Sequence, residues 1–484
     1  MKTKEIMKNI KSVIVVAVLG ITSTATGQNL NTGYFNDGYL YRHELNPVFG
    51  NEQNYVAFPG MGNMNIGLNS TLAVSDVLYN VNGRTALFLN PNVNANEFLG
   101  NIDDKNRISE NLKLQVLGAG FKSWGGYNTV EINVRQNLYL NLPGDLFRLA
   151  KNGLENKTYD LSNFDAHADA YGEIAFGHSR QITDKLRLGA KVKFLLGIAN
   201  VNANVEKAQL QLREDAYVGT TAATLQMSIN SMRYETETTM RGPEGSQTPH
   251  TYVSGIDDVS AGIAGFGLGL DLGGEYKIND NFKVSAALLD VGFISWGSCY
   301  EASTNGEHQV NTDKYLFSVD DDKPNSFDNE LDRLAEGLSQ LYELHDNGDI
   351  GGTTKALSAT MNLGVEYTPD FYDKLKFGFI NNTRFAGKYT WTDFRLSANV
   401  APVKCFSASA TVSAGTYGTS FGWLLNAHPT GFNFYIGMDH TLGKLAKQGL
   451  PLSGRAQLSL GVNIPFGKDK DKRRIDSLHR IYLE

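Results

Sequence analysis

The stretch Leu186–Ile198 constrains this chain more than any other. Leu186, Leu188, Ala190, Val192, Phe194, Leu196 and Ile198 are apolar and fill every second position, while Arg187, Gly189, Lys191, Lys193 and Gly197 between them are polar or tiny. A period of two means a β-strand with one apolar and one wetted face. Ordinary strands run about five or six residues, whereas a strand crossing a bilayer at a tilt needs about nine to eleven. This one is long enough to cross. A strand stands in lipid only within a closed barrel, because an open edge leaves amide and carbonyl groups unpaired in hydrocarbon. The expected fold is all-β: a single transmembrane antiparallel up-and-down barrel.

The rest of the chain supplies the other staves. Alternating segments fall at 64–74, 112–122, 128–142, 169–181, 260–276, 282–298, 356–367, 373–388, 391–400, 404–416, 419–427, 432–440 and 456–466. With the opening stretch this makes about fourteen, within a range of roughly 12–16, and bacterial barrels have even numbers. The turn Ile182-Thr183-Asp184 returns as Ile278-Asn279-Asp280, which puts both on one edge. Short turns then share one side with both termini, and long connections share the other, as in barrels with short periplasmic turns and long outer loops. That parity holds only if 200–214 and 222–239 form an arm above the membrane, with 240–259 a loop. Within 282–298 the apolar positions slip from even to odd after Leu288, so a bulge there turns Asp290 inward. Phe327, Leu331, Leu334, Leu338 and Leu341 recur at helical spacing. Their helix has an acidic polar face, unlike a membrane-surface helix, and is expected on the rim or in the mouth. Trp124, Tyr276, Trp296, Tyr367 and Tyr389 are expected in the interfacial girdles.

The N-terminus reads as an export signal. Lys2, Lys4, Lys8 and Lys11 precede the short apolar core Val13–Ile21, and Ala25-Thr26-Gly27 offers small residues at a cleavage site. Residues 1–27 are the leader. No uninterrupted run of about 18 apolar residues appears, so no transmembrane helix is expected, and the address is the bacterial outer membrane. Residues 28–63 lack strand periodicity and form a periplasmic or plug segment, with Leu45, Asn46 and Pro47 as plug candidates. The barrel spans 64–466, and 467–484 is a charged periplasmic tail. A net charge of −7 with no basic, aromatic-laced run excludes nucleic acid. The strand order puts Cys299 and Cys405 at opposite barrel ends. Both are expected to be free thiols, although an exported chain meets an oxidising compartment.

Leu45-Asn46-Pro47, the two Ile-x-Asp turns, the segment Leu289–Trp296 and the terminal Gly461–Phe466 together resemble an uncharacterised, domain-of-unknown-function family of Gram-negative outer-membrane barrels. It is distantly similar to FadL-type long-chain fatty-acid transporters and to PorV-like barrels of type IX secretion. The resemblance covers nearly all the mature chain. Likeness to FadL implies fourteen strands and an N-terminal plug. No ligand motif carries over, and the tail beyond Phe466 departs from a barrel ending on an aromatic.

The candidate functional residues are charges on the wetted faces: Glu131, Arg135, Glu173, Arg187, Lys191, Lys193, Asp271, Glu275, Asp290, Glu366, Arg395 and Asp439. An ionisable group at membrane depth is costly unless it meets water or a partner. Either these charges pair and fill the lumen, with Lys191 and Lys193 in ladders with Glu173, or they line a selective path. Catalysis is not expected. H-E-x-x-H is absent from the sequence. The neighbours His178–Ser179 and Asp439–His440 should face opposite ways. The run Asp320-Asp321-Asp322 lacks EF-hand spacing and reads as a solvated loop. No metal or cofactor is expected. Two functions remain: a channel or transporter for a small or hydrophobic solute, or a non-transporting structural or secretion-associated barrel that docks a protein partner on its outer loops. Outer-membrane lipid is the partner common to both.

Overall fold

The computed structural model describes residues 29–467 apart from 52, 154, 214–215, 242–246, 258, 317–326 and 442–453. The expected leader, the Asp320–Asp322 run and the expected charged tail lie outside the described residues.

Fourteen antiparallel strands close on themselves. β1 comes in two pieces, Asn54–Ala57 and Met64–Ser70. β2 is Lys105–Ser123, β3 Gly126–Pro143, β4 Asp165–Gln181 and β5 Leu186–Leu212. β6 is Gly265–Lys277, β7 Phe282–Trp296, β8 Ala359–Tyr367 and β9 Leu375–Phe385. β10 is Trp391–Val403, β11 Phe406–Gly415, β12 Gly418–Ala427, β13 Asn433–Met438 and β14 Arg455–Phe466. β1 pairs with β14 (Met64↔Leu460, Val56↔Ile464) and with β2 (Met64↔Leu114, Tyr55↔Gly120), so the ring has no free edge.

The two faces separate as the alternation requires. On β5, Leu188, Val192 and Phe194 are 46%, 45% and 48% exposed on the outside, while Lys191 and Lys193 are 2% and 4% exposed on the inside. A free apolar wall of this extent suits lipid.

The structure departs from the sequence expectations in four places. The first stave starts at Asn54, ahead of the expected 64, because Phe58–Asn63 bulges out of a strand whose lower part has few residues to reveal a period. Ladder contacts persist across the break, from the Gly60 amide to Val116 O and from the Val462 amide to Met61 O. Second, the expected arm forms with other bounds: β5 runs unbroken to Leu212 and pairs beyond the barrel with Tyr217–Ile229. The end of the expected arm strand and much of the expected loop instead form a separate hairpin, Arg233–Arg241 with Thr248–Asp257. Third, two girdle assignments fail. The bulge places Leu289 and Asp290 (φ 58°) together opposite Asp271 and shifts the outward set to Val291. Trp296 therefore turns inward, 1% exposed, against Tyr171, Leu195 and Ile294. Tyr389 sits in a 3-10 turn and stacks on Tyr139 at 5.1 Å. Fourth, the helix Phe327–Gln340 lies beside the outer strand His308–Asn311, in the extension and not on the barrel rim. Cys299 is buried, Cys405 is exposed, and both are free.

Candidate functional site

The lumen is occupied by the chain's own N-terminal segment. Leu30–Phe49 is almost entirely buried and includes two 3-10 turns, Asn31–Gly33 and Leu40–Glu44. Its aromatic residues form a core: Tyr34 packs on Phe35 and Phe49 at 4.8 and 5.2 Å, and Tyr39 on Tyr435 of β13 at 4.9 Å. Edge-on contacts of this kind add to the area they bury.

A segment without strand or long helix must find partners for its backbone elsewhere, and the wall provides them. The Asp439 carboxylate accepts the amides of Asn31 (2.8 Å) and Thr32 (2.7 Å) and the Thr32 hydroxyl (2.6 Å). Asn362 donates to Leu45 O (2.7 Å), and Asn426 to Gly38 O (2.6 Å). Side chains add to the hold. Asn36 donates to Ser409 (2.9 Å), and the Tyr41 hydroxyl lies between the side-chain amides of Gln115 of β2 and Asn463 of β14 (2.7 and 2.6 Å), the strands flanking the broken first stave.

Leu45, Asn46 and Pro47 lie at the tightest contacts. Asn46 donates to Ala286 O, and its own side chain accepts the Val48 amide. A Cβ on Gly273 would stand 1.9 Å from Asn46 Oδ1, and one on Gly189 would stand 2.3 Å from Pro47 O. Two of the wall glycines are thus where the plug approaches, its backbone at Gly189 and the Asn46 and Pro47 side chains at Gly273.

The inward charges are paired. Arg135 forks onto Asp290 (2.8 and 3.0 Å) and also meets Glu173 at 3.0 Å. Lys193 meets Asp290 at 2.6 Å, Asp271 at 2.7 Å and Glu173 at 3.9 Å. Lys191 meets Glu131 at 3.0 Å. Glu366 takes Lys376 (3.1 Å) and Lys283 (3.3 Å), and Arg395 lies between Asp393 (2.7 Å) and Asp439 (3.4 Å). Arg187 and Glu275 stand opposite one another in register at the short-turn end. Both are half-buried, and Arg187 donates to Ser179.

The period-two pattern missed several members. Lys113 and Asp393 sat on wetted faces in plain view, whereas His43 and Glu44 belong to a segment without a period to place them. Glu44 meets Lys113 at 2.8 Å, and His43 lies 3.4 Å from Glu131. The plug crosses no lipid, and burial pushes the His43 imidazole down to about 3 against the opposing pull of Glu131. The neutral ring fits its contacts: one nitrogen receives Lys191, and the other donates to Tyr55. Asp439 and His440 are both buried, not on opposite faces, because β13 ends at Met438 and the alternation ends with it. His440 contacts Ser420 at 2.8 Å.

Beside the plug, Asn111, Asn137, Asp290, Asn382, Arg384 and Trp391 help line a cavity of about 40 Å³. That is room for a few waters, not for an organic solute.

Geometry and lining together define a fourteen-stranded transmembrane barrel of the outer-membrane type with a plugged, ion-paired lumen. The chain belongs to the family of unknown function DUF5723, which matches it over residues 47–439. No curated protein matches it. Among solved structures it is similar to the Ralstonia pickettii toluene transporter TbuX (8% identity, TM-score 0.38, 92% of this chain and 96% of that one). It is similar also to a Pseudomonas aeruginosa FadL homologue (9%, 0.37, 92% and 100%) and to the translocator domain of the Neisseria meningitidis autotransporter NalP (8%, 0.30, 87% and 89%).

Proposed function

We propose that this protein is an outer-membrane channel or transporter for a small solute, closed at rest by its own N-terminal segment. In this reading residues 1–27 are the removed leader, 28–53 the plug, 54–466 the barrel and 467–484 a periplasmic tail. The short turns face the periplasm. One observation carries the proposal: wall side chains do not fill the lumen by themselves, and the N-terminal segment Leu30–Phe49 occupies the rest. About eight strands enclose a space that side chains fill by themselves; fourteen enclose more, and a protein needing only an anchor has no use for the excess. Once the leader is gone, the plug's covalent tie is at Asn54 alone, and its other ties are hydrogen bonds, ion pairs and apolar contacts.

The lining bears on the solute. Asn362, Asn382, Asn399, Ser407, Ser409 and Thr411 face the lumen and are buried there. Amide and hydroxyl walls suit a water-soluble solute better than a hydrocarbon. The test is conductance in planar bilayers and solute-driven swelling of liposomes, comparing the full chain with a deletion of 29–49 that keeps the leader. The full chain should be nearly silent and the deletion should conduct. A deletion variant that keeps the heat-modifiable gel shift of a folded barrel, yet passes neither ions nor solutes, would overturn the proposal.

The docking reading has its own observation. The outer extension adds Tyr217–Ile229, Tyr300–Ser303, His308–Asn311 and His345–Asp349 to β5 as a sheet above the membrane, and its helix exposes Leu331 and Leu338. A stable partner captured through this extension, together with a silent deletion variant, would favour it.

A further inference from the structure

On the outer wall, near the short-turn end, the side chains thin out across neighbouring strands. In continuous register run Arg180 on β4, Leu188 on β5, Gly274 on β6, Ala286 on β7 and Leu363 on β8. Gly274 and Ala286 leave a dip between the flanking leucines. The result is an apolar concavity of about 750 Å³ bounded at one end by His178 and Arg180. A Cβ on Gly274 would meet only Leu188 at 3.4 Å and a backbone oxygen at 3.9 Å, so the space lies outside the wall and is not taken up by packing. Tyr276 and Phe282 are exposed just beyond it, and Phe282 lies 4.7 Å from Tyr367. Aromatic residues of this kind mark the level of the headgroups, which sets the groove in the hydrocarbon just inside.

Arg180 is the exception on this wall. Both it and His178 are exposed on the outer face of β4, where charge is disfavoured unless it reaches the interface. His178 is tied to Asn128 at 2.9 Å. Among the described residues Arg180 has no ion pair; its guanidinium stands beside the turn at Gly125, next to the exposed Trp124. A cation at headgroup level, at the end of an apolar trough, complements an anionic phosphate with an acyl chain attached.

We propose that this groove holds one acidic phospholipid of the periplasmic leaflet, its acyl chain lying over Gly274 and Ala286 and its phosphate on Arg180. The proposal rests on the barrel orientation given above. It is independent of whether the lumen conducts.

The experiment uses the full-length barrel in dodecyl maltoside, titrated with phosphatidylglycerol or phosphatidylcholine, with bound lipid counted by native mass spectrometry. The intact protein should retain one phosphatidylglycerol in preference to phosphatidylcholine. Arg180→Gln should weaken that retention about fivefold, the effect of one basic group at an anionic surface. Gly274→Leu, which fills the trough, should weaken it comparably, while Ala410→Leu on the far wall leaves it unchanged. The heat-modifiable shift confirms folding in each variant. Equal retention in all variants, or equal retention of both lipids, would reduce the groove to unselective lipid contact and overturn the proposal. So would a dimer in the intact protein that Gly274→Leu abolishes, because the groove would then hold a second copy of the chain.

Discussion

Between β2 and β7 the inner face carries Glu131, Arg135, Glu173, Lys191, Lys193, Asp271 and Asp290; between β8 and β14 it is mostly Asn, Ser and Thr. The plug meets these two walls differently. Against the charged wall it uses side chains, His43 toward Glu131 and Glu44 toward Lys113. Against the second wall, where Asp439 is one of few carboxylates, it uses backbone as well as side chains: the Thr32 amide on Asp439, Gly38 O on Asn426 and Leu45 O on Asn362. Long charged side chains fill space by pairing with one another. Short amides and hydroxyls leave space that a backbone can enter. The charged wall should therefore be a stability element and the neutral wall a seat for the plug, and substitutions can test that division.

The largest effect belongs to the charged wall. Arg135→Ala removes the cation shared by Glu173 and Asp290 and leaves two buried carboxylates with Lys193 as their remaining ion-pair partner. Breaking a buried pair costs about 3–5 kcal/mol, so the unboiled gel shift should be lost at markedly lower urea or temperature. A change no larger than that of a neutral-wall variant would erase the distinction between the walls.

Asp439→Asn comes next. Hydrogen bonds to a charged acceptor contribute about 1.5–3 kcal/mol, and this carboxylate holds two plug amides and a hydroxyl. Arg395 keeps Asp393, which limits damage to the wall. The expected outcome is a freed plug end in an intact barrel. In a chain with Cys405→Ser, Thr32→Cys should react with a water-soluble thiol reagent far faster when Asp439→Asn is present. Unchanged protection would mean that Asp439 serves Arg395 and not the plug.

Acid should act on the same seat from the charged side. Burial holds His43 at about 3, below its ordinary value of 6.5. The displaced chain therefore takes up the proton first. The plug's hold is complete above about 6.5, weakens as pH falls, and goes on weakening until about 3, where the seated ring protonates as well. The slope is at most about 1.4 kcal/mol per pH unit for one group. Labelling of Thr32→Cys, taken relative to that of a free thiol at the same pH to remove the falling thiolate fraction, should rise as pH falls from 6.5 to 5, and His43→Gln should flatten that rise.

How much of this was legible in the sequence follows from where side chains alternate. Lys191 and Lys193 sit among Leu188, Val192 and Phe194 in an unbroken period of two, so strand, facing and barrel follow directly. The slip after Leu288 revealed the bulge, but its consequence for Trp296 lies several residues on and needed the register itself. Phe58–Asn63 hid the lower part of β1 because neither piece alone is long enough to show a period. The plug had no period to read. Its position depends on contacts between residues hundreds of positions apart, such as Thr32 with Asp439, and local pattern does not encode them. Leu45, Asn46 and Pro47 stand out as plug candidates, but the need for Gly189 and Gly273 opposite them does not show in the sequence.

The smallest effect tests the neutral wall by its own logic. Ser409→Ala removes the acceptor for Asn36, and Asn426→Ala removes the donor to Gly38 O. Each bond is neutral and contributes about 0.5–1.5 kcal/mol. Neither variant should shift barrel unfolding much, and each should raise Thr32→Cys labelling only slightly. The two together should exceed either one, because both bonds hold the same short stretch of plug and the first to go leaves the second bearing the load. If the double variant instead destabilises the barrel as far as Arg135→Ala does, the hydroxyl and amide wall holds the ring and not its occupant, and the division between the two walls fails.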